Sequence, residues 1–310
     1  MKAAIFSQYG DTEATQLTSS HPEPQVADQQ VLVAVQAVGL NRIDAIIRAG
    51  YLHQMFPVSM PAVLGGDFSG TVRAVGAQVT GVQVGDEVYG QAGLLMGGSG
   101  ALAELAAAPA AKLARKPATL SMAEAAAFPL AGSSAIQALE EHLQLQPNQK
   151  VLIHGGAGGI GSIAIQLAKH LGAQVVTTVA GEDRDFVRSL GADEVIDYKT
   201  QDFTTRAQEF DAVLVTAPEA LAGSYGVLKT GGVLVALAGE VDAEQAQRHE
   251  VTAVQQMSQA SSEQLNRLAE LVDNGAIKPR IDRAFPFAEV KEAFSYFEQQ
   301  HPKGKVVVTL

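Results

Sequence analysis

The sequence predicts an α/β protein in which a doubly wound parallel sheet, with helices on both faces, follows a β-rich amino-terminal part. Two features carry this expectation. Residues 1–118 hold short Val- and Ala-rich runs broken by Gly, Pro and Asp, whereas from about residue 119 apolar strands alternate with segments of helical period. At 310 residues and 47 % apolar content the chain exceeds what one simple layer needs, so two domains are expected.

In chain order, "KAAIF", "QVLVAVQAVGL", "GTVRAVG" and "DEVYG" read as strands. "ALAELAAAPAAKLARKP" (101–117) could pass for an Ala-rich helix, but Pro109 and Pro117 break it, so it reads as strands around a turn. "SMAEAAAFPLAGSSAIQALEEHL" reads as helices, opened by Ser121 and Glu124 at capping-box spacing. "KVLIH" is a strand. Residues 160–171 form a helix, with Ile160, Ile163, Ala164, Leu167, Ala168 and Leu171 on one face. Strand "QVVTTV", helix "EDRDFVRSLGA" ending at Gly191, and strands "EVIDY", "DAVLVTA" and "GVLVALAG" follow. "SSEQLNRLAELVDNG" is a helix stopped at Asn274-Gly275. Helix "EVKEAFSYFEQQ" and strand "KVVVTL" close the chain.

Composition narrows the function. A net charge of −11 argues against nucleic acid or an anionic membrane surface as partner. The start, "MKAAIFSQYG", is too short in apolar residues for a signal-peptide core, and no run approaches the ~20 residues of a spanning helix. A cytoplasmic protein is expected. With no cysteine there can be no disulfide and no thiolate metal site.

The most informative stretch is "VLIHGGAGGIGS" (151–162). Gly156, Gly158 and Gly161 satisfy G-x-G-x-x-G, between a buried strand and an amphipathic helix. In that context the first glycine permits the tight turn, the second lets backbone approach a pyrophosphate, and the third lets helix and strand pack closely. Exposed N–H groups and the positive helix end then stabilise the anion. No Gly-Lys-Ser/Thr ending follows, which disfavours a nucleoside-triphosphate loop. The acid that holds an adenosine ribose belongs ~20 residues on, at the end of the second strand, where Ala180 stands. An acid there would repel a 2′-phosphate. Arg184 could pair with one, with Lys199 helping, or could be a solvated helix-face charge; Glu182 and Asp183 beside it weaken the pairing or cap the next helix. NADP(H) is favoured over NAD(H).

These residues carry a family. The chain resembles the medium-chain dehydrogenase/reductase superfamily, and within it the zinc-free quinone oxidoreductases, the ζ-crystallin-like group. The matching pieces are "VGLNRIDAIIRAG" (38–50), "PAVLGGDFSGTVRAVG" (61–76), "VGDEVYG" (84–90), "AAAFPLAGSSAIQAL" (125–139), "VLIHGGAGGIGSIAIQLAKHLGA" (151–173), "LGADEVIDY" (190–198) and "GKVVV" (304–308). The resemblance implies a GroES-like β-barrel catalytic domain, residues 1–122 completed by 276–310, and a Rossmann nucleotide-binding domain, residues 123–275. It places the active site in the cleft between them. It also implies a homodimer paired through an edge strand of the nucleotide domain, for which "GGVLVALAG" (231–239) is the candidate.

The resemblance accounts for the missing cysteines. Zinc-dependent members hold catalytic zinc with Cys, His and Cys; here Asn41 and Gly66 stand at the first two positions and Leu130 near the third. A reaction needing little Lewis acid is expected: reduction of a quinone or an enone by NADPH. Carried over by position, Asn41 lies beside nicotinamide and ribose, or is a turn Asn. Ser134 faces the cofactor, or is a helix-start hydroxyl. Gly159 and Ile160 contact the pyrophosphate, Arg184 the 2′-phosphate. Tyr198 lies near the adenosine phosphate, or packs at a strand end. Thr216 and Leu237-Ala238-Gly239 serve the nicotinamide side. Tyr51 orients or protonates the reduced acceptor, or is a loop aromatic. Asp67 and His154 read as structural. Departures are Ile46, where the family often has an aromatic, and "VTAP" (215–218) in place of an acidic motif. Competing readings are enoyl-thioester reduction, for which no basic carrier patch is evident, and an NADPH-binding sensor or structural protein with little turnover.

Overall fold

The computed structural model describes residues 1–206 and 209–310, and the chain forms two compact units. The first comprises Met1–Leu130, Ala260–Asn274 and Pro279–Leu310; the second comprises Ala131–Gln259 and Gly275–Lys278.

The second unit is built on six parallel strands in the order Glu194–Asp197, Gln174–Val179, Lys150–His154, Phe210–Val215, Leu228–Ala236, Thr252–Gln255. The first strand in the chain is central; the next two extend the sheet one way and the last three the other way. The order therefore reverses between Lys150–His154 and Phe210–Val215, the switch point where open α/β sheets bind ligands. Val151, Leu152 and Ile153 are fully buried, as a strand covered on both faces requires. The helix Gly159–His170 buries Ile163, Ala164, Leu167 and Ala168, the face its spacing predicts. The helix Arg184–Ser189 is shorter than expected because its first turn, Gly181–Asp183, is a 3₁₀ turn.

In the first unit one sheet runs Ile281–Pro286, Lys305–Thr309, Gln30–Gly39, Asp67–Val75, Glu87–Gln91, Leu113–Arg115, with Leu105–Pro109 also paired to Gln30–Gly39. A smaller sheet holds Thr15–Thr18, Ala3–Phe6 and Ala62–Val63. The carboxy-terminal strand joins by antiparallel pairing, Val308 opposite Val38. Val31, Val33, Val38, Phe68, Val306 and Val308 fill the core between these strands.

Four features differ from the sequence reading. Residues 42–49, inside a stretch read as β-rich, form the helix Arg42–Ala49, closed by Gly50 at φ 84°. Residues 123–130 and 260–274, assigned above to the nucleotide-binding part, pack in the first unit: Asp67 accepts the Leu130 N–H at 3.0 Å, and Tyr89 Oη donates to Leu265 O at 2.6 Å. Residues 231–239 are not an edge; the strand Leu228–Ala236 is flanked on both sides, and Thr252–Gln255 forms that border of the sheet. That border strand and the helix Ala243–Arg248 before it carried no expectation.

Candidate active site

The strand Lys150–His154 runs into Gly155, whose φ of 72° is left-handed. The N–H groups of Gly155 and Gly156 both donate to Thr178 O, at 3.2 and 3.3 Å. Gly158 N–H turns back onto Gly155 O at 3.0 Å, and the helix begins at Gly159. Ser162 N–H closes the first α-helical bond, to Gly158 O, so the N–H groups of Gly159, Ile160 and Gly161 have no intrahelical partner. No acid stands in this first turn.

The three motif glycines do different work. A Cβ on Gly161 would collide with the Gly155 backbone, and one on Gly156 with Thr177 Oγ1. A Cβ on Gly158 would meet only Gly155 O, at 3.4 Å, so its outer face is open. Two glycines thus let neighbours close in, while the middle one leaves bare backbone at a positive helix end. A dinucleotide pyrophosphate fits that arrangement. The sequence reading placed the tight turn at Gly156; it lies at Gly155, because Gly156 is needed for the approach of the Thr177 side chain.

Beneath the loop His154 is fully buried. Ser224 Oγ spends its proton on Ala220 O, so it accepts from His154 Nε2 at 3.2 Å, and Nδ1 accepts from Thr178 Oγ1 at 3.0 Å. Burial holds this imidazole neutral, its pKa lowered to about 4. Thr216 follows the strand across the switch point and donates to His154 O at 2.6 Å. His154, Thr178 and Thr216 together brace the glycine turn, a role the sequence reading gave to none of them.

Five of the remaining candidates of this unit also sit where parallel strands end. Ala180 follows Gln174–Val179, Tyr198 follows Glu194–Asp197 and is exposed, and Leu237, Ala238 and Gly239 follow Leu228–Ala236. Leu237 N–H is tied to Val215 O at 2.9 Å. Arg184 opens its helix half-buried, with no ion pair among the described residues. Lys199 pairs with Glu182 at 2.7 Å, which the sequence could not show. An acid does stand near this corner: a Cβ on Gly181 would lie 2.7 Å from Asp197 Oδ2. That carboxylate is engaged with Lys199 N–H and Thr200 Oγ1. Ser134 is fully buried, and its carbonyl accepts from Gln256 Nε2 at 3.0 Å.

The first unit holds a different kind of centre. Asn41, Asp44, Asp67, Gln91 and Lys305 are each at most 8 % exposed and in contact as one polar cluster. Lys305 Nζ donates to Asn41 Oδ1 at 2.5 Å and to Leu40 O at 2.8 Å, and lies 4.0 Å from Asp67 Oδ2. Asp67 further accepts from Gln91 Nε2 at 2.9 Å. Asp44 accepts the Asn41 N–H at 2.8 Å, at the start of the helix Arg42–Ala49. Burial pushes the Asp44 pKa up to about 7, against the Asn41 hydrogen bond that lowers it. Burial also raises Asp67 and lowers Lys305, while their mutual attraction opposes both shifts. At the far end of the helix, past Gly50, Tyr51 is 80 % exposed.

The positions that hold zinc in zinc-dependent members carry Asn41, Gly66 and, near the third, Leu130. Asn41 and Gly66 offer an amide and no side chain, and a Cβ on Gly66 would face Asp44 Oδ1 at 3.6 Å. Among the described residues no three His, Asp or Glu side chains gather as a metal site. No helix among them is long and apolar enough to cross a membrane.

Comparison with known proteins agrees with this architecture. Residues 27–118 match the alcohol dehydrogenase GroES-like domain, and residues 190–308 match the family described as zinc-binding dehydrogenase. An NADPH-dependent alkenal/one oxidoreductase of Arabidopsis thaliana is 36 % identical over 316 residues, covering 99 % of this chain and 79 % of its own length. A 2-methylene-furan-3-one reductase of Solanum lycopersicum is 37 % identical with the same coverage. The solved quinone oxidoreductase of Coxiella burnetii matches with a TM-score of 0.92 at 33 % identity, over 100 % of this chain and 99 % of that one. A glycine turn at a Rossmann switch point, a GroES-like first unit and relatives that match nearly the whole of this chain together place it in the medium-chain dehydrogenase/reductase superfamily, as an oxidoreductase of its quinone oxidoreductase group.

Proposed function

We propose that this chain reduces quinones or the activated double bonds of enones with NADPH, without a metal. The observation that carries this reading is the open face of Gly158 at a helix N-terminus on the sheet's switch point. The names of the relatives support it, since they act on alkenals, enones and quinones.

Bound NADPH supplies the hydride, and an acceptor already poor in electrons needs no Lewis acid. The N–H groups of Gly159, Ile160 and Gly161 would hold the pyrophosphate, with Gly158 leaving them uncovered and Gly156 keeping the loop closed. Arg184 and Tyr198 take the adenosine phosphate beside Ala180, and the absence of an acid at Ala180 itself supports NADP(H) over NAD(H). Thr216, Leu237, Ala238 and Gly239 border the nicotinamide side. Ser134 would face the cofactor from the helix Pro129–Ile136. Asn41 and Tyr51 serve the reacting end, Tyr51 Oη donating to the oxyanion that develops on the acceptor. A homodimer would pair through Thr252–Gln255, the border strand.

The test is the loss of reduced-nicotinamide absorbance with a panel of quinones and enones, before and after chelator treatment. Turnover that survives chelation is expected. Tight NADPH binding with no turnover on any acceptor replaces this reading with a sensor; activity lost to chelator removes the metal-free mechanism.

A further inference from the structure

Of the positions where the resemblance puts metal ligands, Asn41 belongs to the cluster described above and Gly66 borders it, and the positive group in that cluster is Lys305. This lysine begins the strand Lys305–Thr309, more than 260 residues from Asn41 in the chain, and is brought beside it by that strand's pairing with Gln30–Gly39. Its Nζ points donors at two oxygens, Asn41 Oδ1 and Leu40 O, with the Asp67 carboxylate on a third side. An ammonium only donates, so the Asn41 amide must turn its oxygen toward Lys305. Its Nδ2 then points toward Gly39 O, at 3.4 Å, and donates to the Asp67 carboxylate. The amide cannot flip without placing N–H against N–H. Asp67 is fixed in turn by Leu130 N–H and Gln91 Nε2. Asn41 is also the N-cap of the helix that leads to Tyr51.

We propose that Lys305 is the positioning residue of the reacting end: its ammonium, as an internal cation, fixes the Asn41 side-chain amide beside the start of the helix Arg42–Ala49. The proposal rests on the reading of Asn41 given under Proposed function. It assigns to a side chain the electrostatic place that a metal cation has in zinc-dependent members of the superfamily. No proton or electron moves to or from Lys305.

The experiment is a mutant cycle in the full chain. Lys305→Met alone leaves Asp67 buried without its cation and can fail to fold, so Lys305→Met is combined with Asp67→Asn. The double variant is expected to stay folded, with NADPH affinity unchanged and kcat lowered about tenfold relative to Asp67→Asn. In Asp67→Asn, adding Asn41→Ala lowers kcat by a similar factor; in the double variant the same change has no further effect. The side-chain amide of Asn41, followed by ¹⁵N NMR without substrate, is expected to show slow proton exchange in Asp67→Asn and fast exchange once Lys305 is Met. Equal losses from Asn41→Ala in both backgrounds, or slow exchange that survives Lys305→Met, overturn the proposal. A wild-type chain that binds NADPH but turns over no acceptor removes the functional reading instead, and leaves the NMR comparison to decide the role of Lys305.

Discussion

The two units handle charge in opposite ways. The second prepares a place for a foreign anion with peptide N–H groups, a helix end and no side chain at all on Gly158. The first keeps two carboxylates and an ammonium of its own inside a packed core. A backbone cradle is neutral until its ligand arrives, so building it costs little stability. A buried cluster carries its desolvation cost at all times and is stable only while every partner is present. Removing one charge from the buried cluster should therefore act on stability, and covering the open face of Gly158 on binding.

The largest effect expected is that of Asp67→Ala, which leaves Lys305 buried without its carboxylate; about 3–5 kcal/mol of stability should be lost in denaturant unfolding. A loss under about 1 kcal/mol would place this cluster in water and erase the contrast. Next is pH. The folded pKa of Asp44 lies near 7 against an ordinary value of 3.8, so the folded state holds its proton more tightly than the unfolded one. The stability this gives is complete below the ordinary value and is lost as pH rises through about 7. Asp44 faces Asp67, Lys305 and Arg48, and Asp44→Asn keeps an acceptor for Asn41 N–H while removing the charge. The melting temperature of the wild type should fall between mildly acidic and mildly alkaline buffer, and that of the variant should fall much less. Identical slopes would remove Asp44 as the cause.

In the cradle, Gly158→Ala should leave the melting temperature nearly unchanged and weaken NADPH about tenfold, because its Cβ meets ordinary contact distance inside and occupies the open face outside. Gly161→Ala, which meets backbone, should instead destabilise the unit, and equal behaviour of the two would contradict the division of roles among the glycines. The smallest effect is at the ribose corner. Arg184→Ala should weaken NADPH several-fold more than NADH, and Glu182→Gln, which frees Lys199, should strengthen NADPH slightly. Equal loss for both nucleotides would take Arg184 out of the phosphate site.

The cradle was legible because it is contiguous. Residues 154–161 state their constraint as missing side chains between a strand and a helix, and five of the sheet's six strands are legible in the alternation around them. The cluster was not, because Asn41, Asp44, Asp67, Gln91 and Lys305 meet only through antiparallel pairing of strands far apart in the chain. One local signal existed: Lys305 is a charged residue heading an apolar strand, and such a residue is buried only with partners. The helix Arg42–Ala49 was missed although Ile43, Ile46 and Ile47 have helical spacing, since the strands around it set the expectation. The border strand Thr252–Gln255 is short and half-exposed, and no apolar pattern announces it.

Calorimetric titration of NADPH into the wild type and into Gly158→Ala tests the central claim most directly. A saturable isotherm for the wild type and one about tenfold weaker for an equally stable variant is the result expected. A flat wild-type isotherm, or equal affinity in the two proteins, would contradict a bare-backbone pyrophosphate site.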